Sequence, residues 1–285
     1  MIFSLVKRNL KLYFRDKMTV FFSMLGVFII ILLYLVFLGD LMASNVTFPP
    51  NSGIDAEFFI NSWIMAGVIS VSTVTTTLGA YGVVVTDRAD KVINDFKVSP
   101  IKRSALVFSY ILSSFIVGLI MSIVSLAFAE IYIIISGGEI LSFIGFIKTI
   151  GVILISVFMS SAVVFFVIAF VKTNNAFGAI STVFGSMIGF LMGVYVPIGN
   201  LVGVDKIIKV FPFSHSAVLM RQVLIEESVG DLSIIPSDYK QFLGIEFAFG
   251  DTVLPAIVHI LIMLGVMVIF FILGVIAFSK KKESI

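Results

Sequence analysis

Cysteine is absent from this sequence, which removes disulfide frameworks, thiolate nucleophiles and cysteine-ligated metals from consideration. Histidine occurs only at His215 and His259, neither within H-E-x-x-H, and Glu226 stands eleven residues from His215. That spacing argues against a membrane-embedded metallohydrolase. No G-x-x-x-x-G-K-S/T segment is present, so no phosphate-cradling loop of that type exists and ATP hydrolysis by this chain is not expected. Charge is scarce as well: 13% of residues are Asp, Glu, Lys or Arg, and the net charge is +2. So small an excess gives no argument for nucleic acid.

What is abundant is apolar surface. With 59% hydrophobic residues, 30 of them Phe, and a mean hydropathy of +1.16, the chain cannot form a globule with a polar skin. It reads as an all-α polytopic membrane protein, one domain over 1–285, because no Pro/Gly/Ser-rich linker or large polar region interrupts it. No long repeat is visible, which gives no support for an inverted-repeat transporter.

Six spans are expected. Residues 1–18 precede them as an interfacial helix: Lys7, Arg8, Lys11 and Arg15 share one quadrant of a helical wheel, with Phe3, Val6, Leu10, Tyr13 and Phe14 opposite. The other reading of this segment is a basic flank that only orients the first span. Val20 to Leu38 suffices, at about 1.5 Å per residue, to cross a core of about 30 Å. It is expected to be an uncleaved anchor, followed by a polar loop, Asp40 to Glu57, without Lys or Arg.

The second span, Phe58 to Val85, carries Ser70, Ser72, Thr73, Thr75, Thr76 and Thr77. Such hydroxyls can bond their own helix carbonyls and serve packing, or they can line a wet pathway. Span three, Ala105 to Ser136, contains Glu130, a carboxylate inside an apolar stretch. It is either an interfacial structural group or a substrate or proton site. A turn at Gly137 to Glu139 leads to span four, Phe143 to Val171. A brief turn at Thr173 to Asn175 makes spans four and five antiparallel neighbours. Span five, Ala176 to Val196, places Ser181, Gly185, Gly189 and Gly193 at four-residue intervals, a stripe suited to close helix approach. Residues 197–250 form an extracellular segment whose apolar run, Ala217 to Ile225, is cut by Arg221 and Gln222. A re-entrant or interfacial helix pair is expected there, before the last span, Val253 to Phe278. For His215, between Ser214 and Ser216, a capping or interfacial role is expected.

Positive charge sets the orientation. Lys7, Arg8, Lys11, Arg15, Lys17, Arg88, Lys91, Lys97, Lys102, Arg103, Lys172, Lys280, Lys281 and Lys282 fall inside. Lys148, Lys206, Lys209, Arg221 and Lys240 fall outside, completing the 19. Both termini are therefore expected in the cytoplasm.

Between spans two and three lies the most charged run, Thr86 to Ser104 (TDRADKVINDFKVSPIKRS). Asp87 and Asp90 suit a helix N-terminus, Val92, Ile93 and Phe96 share one helical face, and Pro100 ends the helix after Ser99. A solvated loop is the plainer alternative; a short amphipathic helix leaves an apolar trio in need of cover.

This loop resembles that of the type-2 ATP-binding-cassette (ABC) exporter permeases: acidic residues, Gly-Thr, apolar positions, then Ser-Pro-x-x-Arg. Asp87, Asp90, Ile93, Phe96, Ser99, Pro100 and Arg103 fit that pattern, while Lys91 and Val92 stand where Gly-Thr is usual. Val196-Pro197, Phe211-Pro212 and Arg221 resemble the family's Leu-Pro, Asn-Pro and Arg series, with Phe211 replacing Asn. The resemblance implies that Asp87, Asp90, Val92, Ile93, Phe96, Pro100 and Arg103 form a coupling helix docking on separate ABC ATPase subunits, which hold the ATP and Mg2+. This chain would bind no cofactor. It also implies export and an interfacial elbow at the N-terminus. A second permease subunit, identical or sister, would meet span five, and membrane lipids would surround the pair in a bacterial cell membrane. Ser72, Thr73, Thr76, Glu130, Ser181, Gly185, Gly189 and Gly193 are the candidates for pathway or helix interface. A lipophilic drug, an amphipathic peptide or a lipid would suit such a path. An ion-coupled carrier and a non-transporting scaffold or immunity protein are the competing classes.

Overall fold

The computed structural model describes residues 2–34, 55–201 and 203–280. Most of the Asp40 to Glu57 loop, the far end of the first span, Lys281 and Lys282 lie outside the described residues. Helices dominate. In chain order they are α1 (Ile2–Arg15), α2 (Lys17–Leu33), α3 (Ala56–Ala80), α4 (Gly82–Ala89), α5 (Val92–Val98), α6 (Arg103–Ile135), α7 (Phe143–Ala169), α8 (Asn174–Leu191), α9 (Asp205–Val210), α10 (Pro212–Val229), α11 (Ser237–Leu243) and α12 (Ala256–Lys280). A two-residue hairpin, β1 (Ala248–Phe249) against β2 (Thr252–Val253), precedes α12.

Among the described residues four helical segments are long and apolar enough to cross a membrane: α3 continued by α4, α6, α7 and α12. The bent pair α1 and α2, at 73°, makes a fifth if it is taken as one span. Length and composition among the described residues, which in the first span end at Tyr34, therefore account for up to five of the six expected spans. The shortfall lies at α8, whose helix stops at Leu191 rather than Val196 and opens on two asparagines.

Buried hydroxyls and small residues make α3 the centre. It packs against α2, α6, α7, α8 and α10, and nearly all of its side chains from Phe59 to Leu78 are buried. A helix apolar all round needs such a position. Its hydroxyls turn inward on the helix itself. Ser70 donates to the Ala66 carbonyl at 2.8 Å, Ser72 to Ile69 at 2.7 Å, Thr73 to Ser70 at 2.7 Å, and Thr76 to Ser72 at 2.6 Å. Ser72, Thr73 and Thr76 are fully buried, which is the packing arrangement of these groups. The last span, α12, is the opposite case. It leans on α7 and α10 and leaves Ile257, Leu261, Ile269 and Ile272 exposed along its length, a surface for lipid tails.

Helix breaks have local causes. Asp16 ends α1 and caps α2, accepting from the Met18 and Thr19 amides at 3.1 Å each. Ser142 caps α7, accepting from Gly145 at 3.0 Å. At the end of α8, Val194 N–H reaches the Gly189 carbonyl at 2.7 Å and Gly193 N–H reaches Phe190 at 2.9 Å, with Gly193 at φ 62°. This is a Schellman cap. Gly193 is thus not the fourth member of a helical stripe: it lies past the helix end, and its left-handed backbone requires glycine.

The short turn before α8 does not lay that helix along α7 as expected; α8 packs on α3 and α4. Within the 197–250 segment, α10 enters the bundle and packs against α3, α7 and α12.

Close packing of α6 on α3 and α7 occurs at Gly118, where an added Cβ would overlap Thr77 Oγ1 and come within 2.9 Å of Val157. Gly118→Val should cost about 1–3 kcal/mol by overpacking, read as a lowered thermal midpoint of the detergent-solubilised protein. An unchanged midpoint would show that these three helices are not in close contact.

Candidate coupling site

One end of the bundle gathers α1, the end of α3–α4, α5, the start of α6, the end of α7 and the end of α12. The short helix expected between spans two and three is present there as α5, but it starts later than the sequence suggests. Asp87 and Asp90 belong to the end of α4, not to the N-terminus of α5. Asp90 is exposed as the C-cap of α4. Lys91 follows in a left-handed conformation, φ 62°, and leads into α5. That conformation explains why glycine suits this position in the resembling loops. After Val98, Ser99 is extended, at ψ 159°, the geometry imposed by Pro100.

Asp87 is 4% exposed, and its carboxylate accepts two hydrogen bonds from Arg8 of α1, at 2.5 and 2.7 Å. It accepts a third from the Tyr110 hydroxyl of α6, at 2.5 Å. The forked contact is the strong form of an ion pair, and its hydrogen bonds raise the Arg8 pKa above its ordinary value. Arg8 was expected on the headgroup-facing side of α1. It instead turns inward, and its guanidinium also lies 5.4 Å from the Phe96 ring centroid. Asn9, buried beside it, donates to Ser113 of α6 at 3.3 Å.

The apolar trio of α5 is accordingly not left open. Val92, Ile93 and Phe96 are half-buried, and Phe96 packs with a cluster that includes Leu5, Val84 and Leu106. The outward face carries Asn94, Asp95 and Val98, the last 90% exposed. Pro100 and Arg103 are exposed, and Arg103 donates to the Phe278 carbonyl at 3.1 Å, tying α6 to α12.

The remaining candidates lie apart from this end. Glu130 accepts from the Leu141 amide at 3.0 Å, so it helps to hold the turn after α6. Ser181 and Gly185 are half-buried on α8; nothing lies within 4 Å of a Cβ at Gly185, whereas Gly189 is filled by the Tyr195 ring. Two features were missed because their parts are far apart in sequence. His215 and His259 face each other with Nδ1 atoms 2.7 Å apart, both buried, one ring donating and the other accepting. Arg221, fully buried, donates to the carbonyls of Gly193 at 2.5 Å, Gly244 at 3.2 Å and Met192 at 3.3 Å, and stands 4.9 Å from the Trp63 ring centroid.

Apolar helices long enough to cross a membrane, joined at one end by a charged, hydrogen-bonded junction, make this a membrane protein. The family model for the ABC-2 type transporter matches residues 1–225, and the chain belongs to that family. It is an ABC transporter permease component. A search of curated proteins gives no match.

Two variants test the junction. Arg8→Gln and Asp87→Asn should each lower the thermal midpoint, and a double-mutant cycle should return a coupling of about 1–3 kcal/mol; additive losses would show that the ion pair is not made. Lys91→Gly should raise stability by about 0.5–1 kcal/mol by relieving the left-handed lysine, and a lowered midpoint would contradict that conformation.

Proposed function

We propose that this chain is the permease subunit of an ABC exporter, acting as a dimer with itself or a sister permease above two ATPase subunits that bind ATP and Mg2+. The observation that carries the reading is the two-sided nature of α5. Its inner face is bound through Phe96 and Arg8 to α1 and α6, while Asn94, Asp95 and Val98 project away from the bundle. A partner closing on that outer face would push a lever whose inner side is already connected to three helices. Movement of α1, α4 and α6 against α8 is then the two-state change that opens a path.

In this reading the junction is cytoplasmic, as the excess of basic residues there favours. The basic outer face of α1 lies in the membrane interface as an elbow. Six spans are completed by α2 and α8, the latter about 27 Å long at about 1.5 Å per residue. The second permease meets α8, where Val183, Met187 and Phe190 are exposed beside the open space at Gly185. Apolar helices with self-bonded hydroxyls suit a lipophilic drug, an amphipathic peptide or a lipid as cargo. Glu130, on which an ion-coupled carrier would depend, has one oxygen engaged by the Leu141 amide and the other buried without a hydrogen-bond partner among the described residues.

Because Phe96 supports its own chain, Val98 is the better probe of docking. Purification from native membranes in mild detergent should recover a P-loop ATPase with this protein. Val98→Asp should reduce that recovery at least about tenfold without shifting the thermal midpoint. If no ATPase is recovered, or if recovery ignores Val98→Asp, the proposed coupling is wrong.

A further inference from the structure

Behind α5 a cleft of about 610 Å3 opens between the ends of α4, α6, α7 and α12. Four cations line it, Arg88, Lys91, Arg103 and Lys172, and no Asp or Glu does. Among the described residues none of these four has a carboxylate within ion-pair distance. Of the acidic residues next to Arg88 and Lys91 in sequence, Asp87 is taken by Arg8 on the other face, and Asp90 is exposed at the end of α4 and does not line the cleft. Arg88 directs Nη1 at the carbonyls of Ile168 and Val171, at 2.7 and 2.8 Å, and its guanidinium lies 4.7 Å from the Phe278 ring centroid. It is therefore held in place while its charge is not neutralised. The rest of the wall is mostly apolar, with Ile101, Leu106, Val107 and Phe278, and also carries Asn94 and Tyr110.

A concave site combining uncompensated cations with an apolar wall selects a ligand that is anionic at one end and hydrocarbon at the other. We infer that this cleft binds the phosphate headgroup of an anionic phospholipid from the cytoplasmic leaflet, with an acyl chain leaving along α6 and α12. The apolar exit is continuous with lipid-facing surface: Phe108 on α6 and Phe271 and Ile272 on α12 are exposed. Each basic group near an anionic headgroup adds to retention, and the planar guanidiniums suit phosphate oxygens. Since Ile93, Asn94 and Phe96 of α5 and the preceding Lys91 line the cleft, the bound lipid would brace α5 from behind. The site rests on the cytoplasmic orientation proposed above but not on ATPase coupling, so either can fail without the other.

The test uses the full chain, delipidated in detergent, and native mass spectrometry with added dioleoyl phosphatidylglycerol or dioleoyl phosphatidylcholine. The wild type should retain phosphatidylglycerol at least about fivefold better than phosphatidylcholine, and millimolar inorganic phosphate should not displace it. Arg103→Gln with Lys172→Gln should lower phosphatidylglycerol retention about tenfold. The charge-keeping pair Arg103→Lys with Lys172→Arg should hold it, as should Lys7→Gln with Lys11→Gln on the outer face of α1. Equal retention of the two lipids, or loss with the α1 variant instead of the cleft variant, overturns the proposal. Displacement by inorganic phosphate overturns it too, in favour of a free-anion site. Should the Gln pair fail to fold, wild-type selectivity and the phosphate arm still decide.

Discussion

The carboxylate of Asp87 is the point on which the coupling end depends. Burying an unpaired carboxylate costs far more than this fold could supply, so its charge requires partners. Arg8 comes from the first helix, Tyr110 from α6, and Asp87 itself from the extension of the central helix. Three segments far apart in sequence are thus forced to meet at one atom group. Phe96 joins them through the same guanidinium, so the short helix α5, which at seven residues could not be stable alone, inherits its position from that ion pair.

At the other end of the bundle a charge is buried on different terms. Arg221 meets no carboxylate; the carbonyls at the end of α8 and at Gly244 accept its hydrogen bonds. Those carbonyls form the negative pole of a helix terminus, so the cation and the Schellman cap at Gly193 stabilise the same chain reversal. Trp63 closes the arrangement from α3, donating to the Leu243 carbonyl at 2.8 Å. An apolar run cut by an arginine, which looks unfit for a bundle interior, is inside it because backbone acceptors are waiting.

Hydropathy made the spans α3, α6, α7 and α12 legible to within a few residues, since long apolar runs bounded by Gly, Pro or charge leave few alternatives. The short helix α5 was legible from Pro100 backwards, because Pro restricts the residue before it whatever the tertiary context. Its start was not. Asp87 and Asp90 carry the composition of a helix N-terminus, and only the pairing of Asp87 with Arg8, 79 positions away, shows that it completes the preceding helix. The same limit hid the His215 and His259 contact and the role of Arg221. Spacing also misassigned Gly193, because a four-residue interval continues past a helix end while the helix does not.

The two ends differ in a way that bears on movement. Around Arg221 the contacts are carbonyls, an aromatic ring and a helix cap, all fully buried, so displacement there would strand a charge and several backbone groups together. Around Asp87 the ion pair is flanked on one side by solvent, through a partly exposed Arg8, and on the other by an open cleft. The Arg8 guanidinium, partly in water, can rearrange at smaller cost than groups in a dry core, while Asp87 itself stays buried and keeps its need for a partner. In the proposed coupling, a push on α5 would move α1, α4 and α6 together through the Asp87 junction while the Arg221 end stays fixed. Such an arrangement would turn force on a short surface helix into relative motion of spans, because the two ends differ in how readily they yield.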